Sequence, residues 1–205
     1  MTETPPAESR IAGSLTTVRL LLRPWCAADA ADLYEAARDP RIGPAAGWPP
    51  HRSVAESAEV IRTIFSAPET YAVVLRETER AVGCVGLLFP ASSHFPIGPS
   101  DAEVGYWIGT RWWGRGLIPE AVAALARHAF TELDLAALWG SCFTENTASR
   151  RVMEKCGFRF VRTEEALLRD VEGRMRGGEI RCLTREAWRA LQDNSLREGV
   201  TEHPR

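Results

Sequence analysis

This chain predicts an α+β fold, one mixed sheet with helices interspersed, and three observations carry that reading. Short apolar runs (Val18–Arg23, Tyr71–Arg76, Ala81–Phe89, Leu138–Phe143) are closed off by proline, glycine or charged turns. Between them lie stretches whose apolar residues recur at intervals of three and four, the spacing of a helix with one buried face. A length of 205 residues suits a single domain with a full core, and no segment repeats.

Met1 to Gly13 is polar and proline-bearing, with nothing to bury, and is expected to be a loose arm. The first strand, Val18–Arg23, stops at Pro24. Ala27–Arg38 places Ala30, Leu33, Tyr34 and Ala37 on one helical face and ends at Asp39-Pro40, because a residue before proline avoids helical angles. Ser53-Val54-Ala55-Glu56 reads as a capping box opening a second helix with Val60, Ile61 and Ile64. Tyr71–Arg76 and Ala81–Phe89 pair around Glu77–Arg80. A loop, Pro90–Ser100, leads to a strand ending at Gly109. The third helix, Gly116 to Leu133, tolerates Pro119 in its first turn, where no amide partner is lost. Leu138–Phe143 is a buried strand, and Asn146–Lys155 a fourth helix ended by Gly157. Phe158–Arg162 and Glu179–Leu183 bracket a hairpin turning near Glu172-Gly173. Thr184 caps a last short helix, so the domain spans residues 14–191 and residues 192–205 form a flexible tail.

Composition excludes several classes. The formal net charge of −2 argues against a dedicated nucleic-acid binder. Five cysteines without a C-x-x-C pair suit reduced thiols in the cytoplasm better than a disulfide framework. No run approaches a membrane span, no signal pattern opens the chain, and no histidine and cysteine spacing suggests a metal.

The chemistry concentrates in two motifs. Arg111-Trp112-Trp113-Gly114-Arg115-Gly116 lies between the strand Val104–Gly109 and the third helix. A glycine-bearing turn feeding a helix N-terminus converges unpaired amides and the positive dipole end on one anion, which suits phosphate. It is neither a Walker loop, lacking Lys-Ser/Thr, nor a dinucleotide fingerprint, lacking the third glycine. Further on stands Glu145-Asn146-Thr147-Ala148-Ser149, then a short helix and Cys156-Gly157-Phe158. Two glycines alone would leave a plain strand-to-helix connection as the simpler reading.

This order, strand, R-x-x-G-x-G, helix, strand, E-N-x-A-S, helix, C-G-F, resembles the GCN5-related N-acetyltransferases (GNAT) from about Thr17 to Trp188, and within them the branch that acetylates alanine or serine N-termini of ribosomal proteins. The resemblance implies a mostly antiparallel twisted sheet, splayed between its fourth and fifth strands to admit the pantetheine arm of acetyl-coenzyme A. It implies that the amides of Trp113, Gly114, Arg115, Gly116 and Leu117, in the turn begun by Arg111, hold the pyrophosphate, with Arg115 facing either a further phosphate or solvent. A free amide near Trp107 or Ile108 would hold the developing oxyanion, a contribution of roughly 3–4 kcal/mol to the barrier. Asn146 would cap its helix and touch pantetheine. Glu103 resembles the carboxylate that takes the acceptor's proton, directly or through water, against the simpler reading of a solvated strand end. Many relatives protonate the leaving thiolate with a tyrosine, but Met153 stands at the matching position. Ser149, one helical turn earlier, matches the serine of the ribosomal branch and would hydrogen-bond the sulfur. Cys142 lacks a neighbouring histidine and reads as an inert buried thiol.

The expected activity is therefore direct acetyl transfer from acetyl-coenzyme A to a primary amine, with no metal, by a cytoplasmic monomer or homodimer. Its acceptor is a protein N-terminal α-amine or a small-molecule amine of antibiotic, polyamine or amino-acid type. A non-catalytic acyl-coenzyme A binding module is the other class. Gly43–His51, with Gly47-Trp48-Pro49-Pro50, and Glu164–Arg176 are the loops expected to wall the acceptor. His51 and His94 fall in loops, and His128 on a helical run reads as structural.

Overall fold

The computed structural model describes residues 13–201, with side chains to residue 194. Most of the expected N-terminal arm lies outside the described residues. Among these residues eight strands form one sheet. They are β1 (Leu15–Thr16), β2 (Leu20–Pro24), β3 (Thr70–Leu75), β4 (Ala81–Leu88), β5 (Asp101–Ile108), β6 (Ala137–Phe143), β7 (Arg159–Arg169) and β8 (Met175–Thr184), in the sheet order β1-β2-β3-β4-β5-β6-β8-β7. Every neighbouring pair is antiparallel except β5 with β6.

Among the described residues five α-helices flank the sheet: α1 (Ala30–Ala37), α2 (Val54–Thr63), α3 (Leu117–Thr131), α4 (Thr147–Lys155) and α5 (Arg185–Thr201). Strand alternation sends Leu20, Leu22, Val73 and Val85 into a core against Leu117, Val122 and Leu125 of α3. The intervening residues, Val74 and Cys84 among them, meet Leu33 and Ala37 of α1 and Ile61 of α2 on the other face. The β5–β6 boundary thus has one side belonging to α3 and α4 and one to α1 and α2.

Several boundaries move from their expected places. Thr17 and Leu20 close a turn, with Thr17 Oγ1 accepting from Leu20 N at 2.9 Å, so the first long strand starts at Leu20 and Val18 sits exposed at the tip. Ser53 caps α2 by accepting from Glu56 N at 3.1 Å, but Glu56 returns its carboxylate to Arg52 N at 2.6 Å, one residue short of the expected box. The last hairpin is longer than its apolar signal, and Glu164–Arg169 belongs to β7 rather than to a loop. As the edge strand, β7 is largely exposed and shows little apolar alternation to read. Thr184 caps α5 as expected, accepting from Ala187 N at 3.1 Å, yet α5 is 17 residues long and continues past Gln192.

Candidate active site

β5 and β6 run side by side for three residues and then part. Their register is Asp101↔Ala137, Ala102↔Leu138 and Glu103↔Trp139, after which β5 continues to Ile108 on β4 alone. Gly109 N donates to Val82 O at 2.8 Å, and amide direction alternates along a strand. The amides of Glu103, Gly105 and Trp107 therefore point to β4; those of Val104, Tyr106 and Ile108 point the other way, Val104 still beside β6 and the last two into the gap. Of the two candidates for an open amide, Ile108 qualifies. Trp107 does not, because its N–H belongs to the β4 ladder.

Beyond Ile108 the chain makes a single 3-10 turn, Thr110–Trp112, and then the glycine-bearing bend into α3. Trp113 N donates to Thr110 O at 3.2 Å, so its amide is used inside the turn, contrary to expectation. Gly114 and Gly116 hold φ of +75° and +71°, a left-handed conformation that a side chain disfavours. Among the described residues, nothing accepts from the amides of Gly114, Arg115, Gly116 and Leu117. They stand at the positive end of a 15-residue helix. Arg111 and Arg115 lie over the Trp112 ring at 5.4 and 4.9 Å and form no ion pair among the described residues. Arg19 braces the bend by donating to Arg115 O at 2.9 Å while paired to Glu120 at 2.6 Å. Four unpaired amides with two guanidiniums nearby that have no carboxylate partner among the described residues fit a diphosphate.

Across the gap stands α4. Asn146 Oδ1 accepts from Ser149 N at 3.0 Å, and its Nδ2 donates to Ala45 O at 3.2 Å, so both ends of this amide are engaged within the protein. Ser149 Oγ lies 2.9 Å from the hydroxyl of Tyr106, which also reaches Ser149 O at 3.0 Å. This contact joins the two arms of the splay. Burial raises the Tyr106 pKa and the Ser149 contact only partly counters it, so the phenol keeps its proton at neutral pH. Met153 is 1% exposed. Its Sδ occupies the space beside Gly140, 2.6 Å from where a Cβ would stand, so this position faces core and not ligand. Burial also pushes the Cys142 thiol up to about 11, in keeping with an inert sulfhydryl.

On the opposite face, at the last paired position of β5, Glu103 is 2% exposed. Its Oε1 accepts from Ser141 Oγ at 2.5 Å. Its Oε2 accepts from Ser93 Oγ at 2.9 Å and His94 N at 2.8 Å, and lies 3.1 Å from His94 Nδ1. Burial pushes its pKa up, but the bonds from His94 and Ser141 outweigh that and hold it below the usual carboxylate range. Glu103 is therefore a buried anion with its lone pairs engaged, not the solvated strand end that the sequence left open.

A family model described as Acetyltransferase (GNAT) domain matches residues 19–159. The chain belongs to the GNAT acetyltransferase family. Over 164 residues it is 28% identical to an uncharacterized N-acetyltransferase, p20, of Bacillus licheniformis, covering 78% of this chain and 87% of that one. A 95-residue stretch is 36% identical to the FsC-acetyl coenzyme A-N(2)-transacetylase of Aspergillus fumigatus, covering 46% of this chain and 40% of that one. The fold superposes on Mycobacterium smegmatis RimJ, solved in complex with CoA-disulfide, with a TM-score of 0.69 at 22% identity, covering 89% and 94% of the two chains. It also matches a ribosomal-protein-S5-alanine acetyltransferase from Vibrio fischeri with a TM-score of 0.67 at 17% identity, covering 85% and 98%. The enzyme is thus an N-acyltransferase on a GNAT sheet, and among its described residues no helix is long and apolar enough to cross a membrane.

Two walls flank Glu103 in this GNAT domain. Trp107 stacks with Trp25 and Phe65 at 6.2 and 6.4 Å and meets the edge of Trp48 at 6.0 Å. Phe95, Phe143, Leu167 and Leu168 form the other cluster, with Trp139 packed against it. The segment Gly43–Trp48 bridges them. Asn146 holds Ala45, and Gly47 (φ +85°) comes so near β7 that a Cβ would sit 2.9 Å from Arg169 O. Sequence reasoning missed Tyr106 and His94 as site residues. The period-two pattern of β5 puts Tyr106 on the same face as the buried Ala102 and Val104, where no motif marks it. His94 lies nine residues from Glu103 in a loop, and no spacing rule joins them.

Proposed function

We propose that the chain transfers acetyl from acetyl-coenzyme A directly to a primary amine, the two substrates meeting at the β5–β6 splay from opposite faces. The observation that carries this is the opening itself, continuous with a row of unpaired amides at the start of α3. Those of Gly114 to Leu117 take the diphosphate, with Arg111 and Arg115 as its cationic surroundings. The thioester brings an activated carbonyl; the Ile108 and Tyr106 amides face the space in which its oxyanion develops. Donors already aimed at that charge need no reorganisation. Ser149, backed by Tyr106, hydrogen-bonds the departing sulfur, and water completes the proton transfer. Glu103 supplies the negative charge that draws the acceptor ammonium. No covalent enzyme intermediate is required, since holding both reactants in line provides much of the rate.

The acceptor in this reading is a protein N-terminal α-amine, as the E-N-x-A-S motif of the ribosomal branch suggests. A small-molecule amine is the second reading, kept because a 95-residue stretch is 36% identical to a transacetylase whose name gives an N(2) acceptor on FsC rather than a ribosomal protein. Incubating the protein and acetyl-coenzyme A with N-terminal peptides and a panel of small amines, read by thiol release and product mass, tests both. Absence of any amine-dependent thiol release would refute acetyl transfer.

A further inference from the structure

Glu103 is poorly placed to take a proton itself. Its oxygens already accept from Ser93, His94 and Ser141, and it is almost fully buried. The imidazole beside it is different: the His94 side chain is 52% exposed, while Nδ1 sits 3.1 Å from Glu103 Oε2. An ionised carboxylate only accepts, so Nδ1 carries the hydrogen of that contact. In the neutral ring Nε2 then bears a lone pair, on the edge of the ring away from Glu103.

The location adds a second argument. Glu103 is the last β5 residue paired with β6, so the ring lies at the apex of the splay. Glu103 and Trp107 share one face of β5, and Tyr106 lies on the other. The His94–Glu103 pair is therefore on the α1 and α2 side, across the sheet from Tyr106 and Ser149. Gly105, between Glu103 and Trp107, adds no side chain there, and a Cβ on it would meet only Leu88 Cδ1, at 3.3 Å.

Resting on the acetyl-transfer reading above, we infer that His94 is the base that deprotonates the acceptor ammonium, and that Glu103 is a positioning residue acting through it. Nε2 takes one N–H proton of the ammonium. The freed lone pair forms the C–N bond on the thioester carbonyl, and collapse of the resulting oxyanion breaks the C–S bond. A second N–H proton balances the departing thiolate, and His94 returns its own proton to solvent. Glu103 orients the ring and stabilises the imidazolium. Its hydrogen bond raises the His94 pKa, more than burial lowers it. The other charged groups near this apex are turned elsewhere. Asp101 accepts from Trp139 Nε1 at 2.9 Å and Gly98 N at 3.2 Å, and Glu179 of β8 pairs with Arg150 and Arg181 on the far face.

The test compares His94→Gln, His94→Ala and Glu103→Gln in the full chain. It uses thiol release against pH with an amine that turns over, together with 15N spectra of the histidine rings. His94→Gln should lower kcat about 100-fold, the low end for loss of a positioned base, with little change in KM for acetyl-coenzyme A. Added imidazole should restore part of the rate to His94→Ala, which a merely structural histidine would not allow. Glu103→Gln should keep the acidic limb of the pH–rate profile but move it to lower pH, because the group that raises the ring's pKa is gone. The spectra should show hydrogen on Nδ1 of neutral His94, and a lower ring pKa in Glu103→Gln. A His94→Gln rate within threefold of the parent would overturn the assignment, as would a limb that vanishes in Glu103→Gln yet moves upward in His94→Gln. If the spectra show the pair and the parent acetylates no amine, the acetyl-transfer reading has failed and this inference falls with it.

Discussion

Gly114→Val tests the phosphate site. A valine here must either hold φ near +75° or pull the bend out of shape. An L side chain in the left-handed region costs about 1–2 kcal/mol, and β-branching makes valine worse placed than alanine. Space does not oppose the change, since a Cβ at Gly114 would meet nothing within 4 Å. The fold should therefore survive, and the damage should fall on the bend. If relaxation turns two of the four amides away from an anion, the loss is about 3–6 kcal/mol, at roughly 1.5–3 kcal/mol per hydrogen bond to a charged group. Calorimetry with coenzyme A should then show affinity reduced at least about 100-fold. Gly114→Ala should fall between, at about 5- to 30-fold, from the backbone term alone. Acetyl-pantetheine, which has no diphosphate, makes the control, and its turnover should be nearly unchanged in Gly114→Val. Coenzyme A affinity within threefold of the parent, in a variant of unchanged melting temperature, would place the diphosphate elsewhere.

Three other outcomes follow from the same geometry. Tyr106→Phe should reduce kcat by about tenfold with little effect on coenzyme A affinity, and Ser149→Ala added to it should cost less than the two losses multiplied, because the two hydroxyls act as one unit; a fully multiplicative double variant would separate them. Thr17 Oγ1 and both Arg19 N and Nε donate to the Glu120 carboxylate, and these bonds outweigh burial to hold its pKa below the ordinary glutamate range. A depressed carboxylate stabilises the fold above its unfolded pKa and loses that contribution as pH falls through the folded one. Thermal melts should thus show the parent losing stability below about pH 4.5, with a shallower loss in Glu120→Gln; parallel curves would refute this role. Met153→Tyr should lower the melting temperature and leave turnover no higher than the parent, since the enlarged side chain must enter packed core against Gly140. Increased turnover would mean that this position can reach the sulfur after all.

Much of the fold was legible because local patterns speak for themselves. The caps at Ser53, Asn146 and Thr184, the proline in the first turn of α3 and the glycine ending α4 each mark a boundary by chemistry confined to a few residues. The reading faltered where exposure removes the pattern, as along β7, or where a two-residue strand such as β1 is too short to have one. Trp107 and Ile108 are adjacent and equally apolar. Their different amide directions follow from the ladder with β4, which no side chain announces. His94 and Tyr106 escaped for a related reason, since each draws its role from a partner on another element.

Sequence alone determined the class of sheet, the glycine bend before the third helix and the family, because these rest on spacing within continuous segments. Only the tertiary structure decided which amides remain open, that Met153 faces core while Tyr106 reaches Ser149, and that Glu103 is a buried anion joined to His94. Those are matters of direction and distance between segments. Chain packing sets them, and burial then sets the charge and hydrogen bonding of each group.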